Sequence, residues 1–258
     1  MAEIERDGVR LYYEVTEARS ERALGTILLT HGFSSSSHMW APNLDALAAE
    51  HRVVTWDVRG HGRSDYPGDV ASYAEALAVA DMAAILDAVA APQAIIGGLS
   101  LGGYLSLAFH LAHPDRVRAL MLFDTGPGYR RDEARARWNE SALASAEAFE
   151  KRGLEALAVR SEVRADIHRD ATGLALAARG LLTQRDARVI ESLGSIRVPT
   201  LVLVGAADQP FLAAADYMAT HIPSATKVVL PEAGHGSNLD QPEAFNRSVL
   251  EFLRGLDG

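Results

Sequence analysis

Short apolar runs recur along this chain at "GTILLTHG", "HRVVTWD", "AIIGG", "VRALMLFD", "VPTLVLVG" and "TKVVLPEAG", and most are separated by stretches with helical periodicity. A continuously apolar run of this length reads as a strand buried on both faces, and such strands alternating with helices build a parallel sheet with crossovers on both sides. The fold class that follows is α/β, with a doubly wound, mostly parallel sheet. The N-terminal "VRLYYEV" alternates apolar and polar residues instead, which places it as an outer antiparallel strand. "SYAEALAVADMAAILDAV" reads as a covering helix: Ser72 and Glu75 are spaced as a capping box, and Met82, Ile85, Leu86 and Val89 share one face. "LGGYLSLAFHLAH" reads as a second helix, halted before Pro114.

The alternation breaks off between residues 126 and 192, where amphipathic helical stretches such as "RRDEARARWNESALASAEAFEKRGLEALAV" replace the strand-like runs. The expected organisation is a core of residues 1–125 and 193–258 interrupted by an inserted helical lid. That insertion carries twelve Lys or Arg against eleven Asp or Glu, while the remainder carries thirteen against twenty-three. Solvated helix faces explain such a balance, and a favourable entrance for anionic substrates is the alternative.

With 258 residues, 48% of them apolar, the chain can bury a large single core. A formal net charge of −9 and a pI near 5.5 speak against a nucleic-acid partner, since phosphate binding needs clustered positive charge. The absence of cysteine excludes disulfides, thiolate nucleophiles and Cys-ligated zinc, and it agrees with a reducing cytoplasm. "MAEIERDGVR" has charges where an export signal needs an apolar run, so the expected location is the cytoplasm. The uncharged stretch between Asp87 and Asp115 is broken by Pro92, Gln93, Ser100 and His110, and no membrane span is expected there.

In open parallel sheets ligands sit beyond the carboxyl ends of the strands, so the loops there carry the chemistry. "GLSLG" at residues 98–102 is G-x-S-x-G between a strand and a helix, the context in which Ser100 stands exposed on a sharp turn. A serine hydroxyl needs a base to take its proton and an acid to orient that base. "VLVGAADQP" supplies Asp208 after a strand, and "LPEAGHGSNLDQPEAF" supplies His235 in a Gly-flanked loop. Serine, aspartate, histidine is the chain order this architecture calls for. The oxyanion would be met by the backbone amides of Leu101, directly after the serine, and of Phe33, in "THGFSSSS".

These segments resemble those of the α/β-hydrolase superfamily over essentially the whole chain. "HGF" matches the family's oxyanion loop, "DVRGHGRSD" at residues 57–65 matches its Gly-rich turn, and "VPTLVLVGAADQP" and "AGHGSNLDQPEAF" match its acid and histidine segments. Asp240 stands where many members have Glu. The resemblance implies that residues 126–192 form a cap over the pocket. Some members place the acid one strand earlier, which makes Asp124 the alternative to Asp208. Trp40, Trp138 and Phe211 are candidates for lining the pocket and equally readable as core. His31 and His61 sit in structured Gly turns as hydrogen-bonding groups, and no metal-ligand spacing such as HExxH occurs.

The implied activity is cofactor-independent serine hydrolysis of a small carboxylic ester or lactone. Carbon–carbon bond hydrolysis, perhydrolase or haloperoxidase chemistry and proline iminopeptidase-like activity use the same triad and stay open. A small-molecule receptor that keeps the triad pocket is the alternative from outside enzymology.

Overall fold

The computed structural model describes residues 2–21, 23–157 and 167–256. Among them eight strands form one sheet: β1 (Ala2–Arg6), β2 (Val9–Thr16), β3 (Thr26–Thr30), β4 (Arg52–Trp56), β5 (Ala94–Leu99), β6 (Val117–Phe123), β7 (Thr200–Gly205) and β8 (Ala225–Leu230). Their spatial order is β1-β2-β4-β3-β5-β6-β7-β8. β1 and β2 are antiparallel to each other, β2 is antiparallel to β4, and every pairing from β4 to β8 is parallel. The six apolar runs are thus β3 to β8, and "VRLYYEV" is the antiparallel β2.

The helices are α1 (Ala41–Leu47), α2 (Glu75–Ala88), α3 (Leu101–Ala112), α4 (Asp132–Arg152), α5 (Ala171–Ala177), α6 (Arg188–Ser192), α7 (Gln209–His221), α8 (Ser237–Asp240) and α9 (Pro242–Arg254). Because consecutive strand residues point to opposite faces, each strand feeds two cores. Ile27, Leu29, Ile95, Met121 and Leu201 pack under α1 and α9 with Leu47, Phe245 and Val249. Leu28, Ile96, Leu120 and Val202 pack under α2, α3 and α7 with Met82, Leu105 and Met218. That second core runs on without a break into the insertion through Phe149, Leu157, Leu174 and Leu181.

Three local expectations meet a different structure. The capping box at Ser72 and Glu75 does not form: α2 begins at Glu75, and Ser72 lies in a preceding 3₁₀ turn, Val70–Tyr73, whose cap is the Asp69 carboxylate accepting from Ala71 N at 3.0 Å. β1, a strand that none of the apolar runs announced, extends the sheet and is joined to β2 by a two-residue turn in which Asp7 and Gly8 both have positive φ, 53° and 73°. That is a type I′ hairpin, whose twist matches the strands it joins. Trp40 is completely buried between Phe123 and Phe245, with ring centroids 6.0 and 6.4 Å away, in the core under α1 and α9.

Candidate active site

Ser100 sits between β5 and α3 with φ 56° and ψ −115°, a backbone conformation that side chains other than glycine rarely adopt. The turn is held by Ser100 N donating to Phe123 O at 2.9 Å and by the Thr125 hydroxyl donating to Ser100 O at 2.6 Å. It is also tight enough to demand glycine beside the serine. A Cβ on Gly102 would lie 2.1 Å from Thr30 O, and one on Gly98 would lie 2.4 Å from the Gly102 carbonyl carbon. The four glycines of "GGLSLGGY" therefore let β3, β5 and α3 converge while the serine stays partly exposed. As the first residue of α3, Leu101 has an amide with no acceptor inside its own helix.

The β3 loop runs alongside this elbow, since a Cβ on Gly32 would stand 3.5 Å from Ser100 Cβ. Phe33 follows, its ring set edge-on against Phe149 of α4 and His61 at 6.0 and 5.6 Å. Buried imidazoles brace the loop. His31 donates Nδ1–H to Gly32 O at 2.7 Å and accepts from Val58 N at 3.0 Å; His61 donates Nδ1–H to Arg59 O at 3.0 Å and accepts from Ser34 N at 3.1 Å. These partners require the neutral tautomer, and burial keeps both rings neutral, lowering His31 to about 4 and His61 well below the usual value. His168, from the insertion, accepts from Gly62 N at 3.2 Å and donates to Ser34 O at 3.1 Å. No local sequence pattern pointed to His168.

At the ends of β7 and β8, His235 Nδ1–H donates to the Asp208 carboxylate at 2.9 Å. Asp208 makes no side-chain cap to α7, which leaves its carboxylate for the imidazole. The two loops are joined by Ala207 N donating to Ala233 O at 2.8 Å, and Asp240 accepts from Gly234 N at 2.7 Å, fixing the residue before His235. Phe211 stacks on His235 with centroids 4.9 Å apart and planes 23° apart. Asp124, the other candidate acid, is fully buried and turned elsewhere. It accepts from Gly205 N at 2.8 Å, from Ser237 N at 3.3 Å and from the Ser237 hydroxyl. Burial raises it to about 7 despite those three donors.

Ser100 opens onto a cavity of about 380 Å³ lined by Tyr104, Trp138, Leu181, Leu182, Ile190 and Phe211, among others. Of the three aromatic residues open to either reading, Trp138 and Phe211 are on this wall and Trp40 is in the core. The Trp138 indole is pinned to Leu182 O at 2.7 Å, at the end of a π-helical turn, Ala178–Leu182. Tyr129, Arg130, Arg131 and Gln184 also line the cavity and were not anticipated, because nothing in one chain's pattern tells which face of an insertion turns inward.

The profile of the Alpha/beta hydrolase family matches residues 27–248. The chain belongs to that family. It is 28% identical over 269 residues to a putative 2-succinyl-6-hydroxy-2,4-cyclohexadiene-1-carboxylate synthase of Bacillus subtilis, covering 97% of each chain. The enol-lactonase of Burkholderia xenovorans LB400 superposes with a TM-score of 0.80 at 26% identity, over 98% of this α/β hydrolase and 100% of the lactonase. A thermophilic esterase from Thermogutta terrifontis superposes with a TM-score of 0.84 at 27% identity, over 99% of both chains. Among the described residues no helix of this α/β hydrolase is long and apolar enough to cross a membrane.

Proposed function

We propose that this enzyme hydrolyses small carboxylic esters or lactones through an acyl-enzyme on Ser100, acting in the cytoplasm with residues 126–192 as a cap over the pocket. The Ser100 oxygen attacks the carbonyl carbon while His235 Nε2 takes the hydroxyl proton. Asp208 holds the ring through Nδ1–H and stabilises the imidazolium. The amides of Leu101 and Phe33 donate to the oxyanion as it forms. The tetrahedral adduct collapses by breaking the ester carbon–oxygen bond, and His235 returns the proton to the leaving alkoxide. Water then adds to the acyl-enzyme by the same route, releasing the acid and free Ser100. No cofactor is called for.

The observation that carries this reading is the 2.9 Å His235–Asp208 hydrogen bond, with His235 stacked on Phe211, which shares the cavity wall with a serine held at φ 56°. The likeness to a lactonase and an esterase supports the choice of bond. A p-nitrophenyl ester series tests it: wild type turns over, Ser100→Ala folds but loses nearly all turnover, and a serine-reactive organophosphonate labels Ser100 alone. Labelling elsewhere, or a fully active alanine variant, removes Ser100 as nucleophile.

A further inference from the structure

We infer that the cavity takes acyl groups carrying a second, distal anionic group, such as half-esters of aliphatic dicarboxylic acids or lactones bearing a carboxylate; this rests on the ester or lactone reading above. The chain is acidic overall, with a net charge of −9, yet none of the described residues lining this cavity is Asp or Glu, and two of them are Arg130 and Arg131. Among the described residues neither guanidinium has an ion-pair or hydrogen-bond partner, unlike Arg135, which is paired with Asp132 on the same segment. A guanidinium fork matches a carboxylate in geometry as well as charge.

The position fits a bifunctional substrate. Residues 125–131 line the cavity without interruption, from Thr125, bonded to Ser100 O, to Arg131 before α4. Those six residue steps span at most about 20 Å of chain, the reach of an aliphatic acyl group with room to fold. The same wall carries Trp138, Leu182 and Phe211, which give a hydrocarbon body apolar contact. The Gln184 side chain also lines the cavity, beside Gly128, and its amide carries N–H donors of the kind a carboxylate accepts from. Its backbone is fixed by Asn139 on both sides, with bonds of 2.8 and 2.9 Å, so the amide stays at the wall.

The test compares mono-p-nitrophenyl adipate with p-nitrophenyl hexanoate, which match in length and differ by one carboxylate. The wild type is expected to favour the adipate in kcat/KM, chiefly through KM, and the preference is expected to shrink as NaCl is raised. In Arg130→Gln/Arg131→Gln the ratio of the two kcat/KM values falls by about tenfold, and the double Lys variant keeps most of it. Equal kcat/KM for the two esters in the wild type, or an unchanged ratio in the Gln double variant, overturns the proposal. Should the wild type hydrolyse neither ester, the hydrolytic reading falls, and calorimetric titration of free adipate decides the anion site separately. Binding that the Gln double variant abolishes upholds it, and no binding by the wild type overturns it.

Discussion

Exchanging one oxygen for an amide in each of two buried carboxylates should separate catalysis from stability in this enzyme. In Asp208→Asn the His235 ring loses the acceptor that selects its Nδ1–H tautomer, and with it, under the proposed mechanism, the free Nε2 that serves as base. By analogy with known triads kcat should fall by up to about 10⁴, equivalent to about 5 kcal/mol of transition-state stabilisation. The cost in stability is small, because one hydrogen bond to a His235 side chain that is 30% exposed is lost, about 1 kcal/mol or a few degrees in Tm for a chain of this size. Asp124→Asn should behave the other way. Its carboxylate accepts from Gly205 N and from Ser237 N and Oγ in a fully buried setting, and an amide nitrogen facing any of those N–H groups leaves a donor without an acceptor. That costs about 1–3 kcal/mol, roughly 5 °C, while kcat falls by about tenfold through a small displacement of the His235 loop. The assay is kcat on p-nitrophenyl butyrate beside thermal unfolding for each variant. A severe kcat loss in Asp124→Asn with near-normal turnover in Asp208→Asn would refute the assignment and move the acid to the end of β6.

Gly102→Ala should destabilise by more than about 3 kcal/mol and lower kcat, because its Cβ falls 2.1 Å from the Thr30 carbonyl oxygen and the elbow must shift; a urea midpoint equal to wild type would contradict the close approach. Acidification from about 6.5 toward 4 should lower stability, since His31, held down to about 4, and likewise His61 and His168 stay neutral in the folded chain while the unfolded chain takes up protons. Asp124, raised to about 7 from 3.8, acts in the opposite sense over that window because it keeps its proton only when folded, so the loss should be steeper in Asp124→Asn; urea midpoints that rise between pH 6.5 and 4.5 would defeat this account. Trp138→Ala should move preference toward longer or bulkier acyl chains by widening the cavity wall, read as relative kcat/KM across an ester series; an unchanged ranking would remove Trp138 from substrate selection.

The parallel strands and the elbow were legible because their signals are local. Double burial keeps β3 to β7 mostly apolar, and the G-x-S-x-G pattern marks the elbow within five residues, although the contacts its glycines allow, to Thr30 and Thr125, come from distant segments. The Asp208 and His235 loops were legible for the same reason, since each follows a strand directly. What was not legible depends on contacts between distant segments. Trp40 and Trp138 are the same residue type in helical settings, and only packing sends one between Phe123 and Phe245 and the other to the cavity. Asp124 reads as a possible acid because its strand-end position suits one, and only the approach of Gly205 and Ser237 uses up its acceptors. β1 went unread because its alternation is between charged residues and small apolar ones, although the Asp7-Gly8 pair was a usable hairpin signal. Arg130 and Arg131 are an unremarkable charged pair in the sequence, and only the folded chain brings them to the same cavity wall as Ser100.

His168 gives the insertion a stake in the core. If the segment between β6 and β7 lifted away, Gly62 N and Ser34 O would lose their partners inside the protein, and Ser34 directly follows Phe33, whose amide is the proposed oxyanion donor. Under the proposed mechanism, displacing the insertion and loosening the loop after β3 are therefore one event, and an insertion transplanted from another hydrolase would need its own group at this point to restore both bonds.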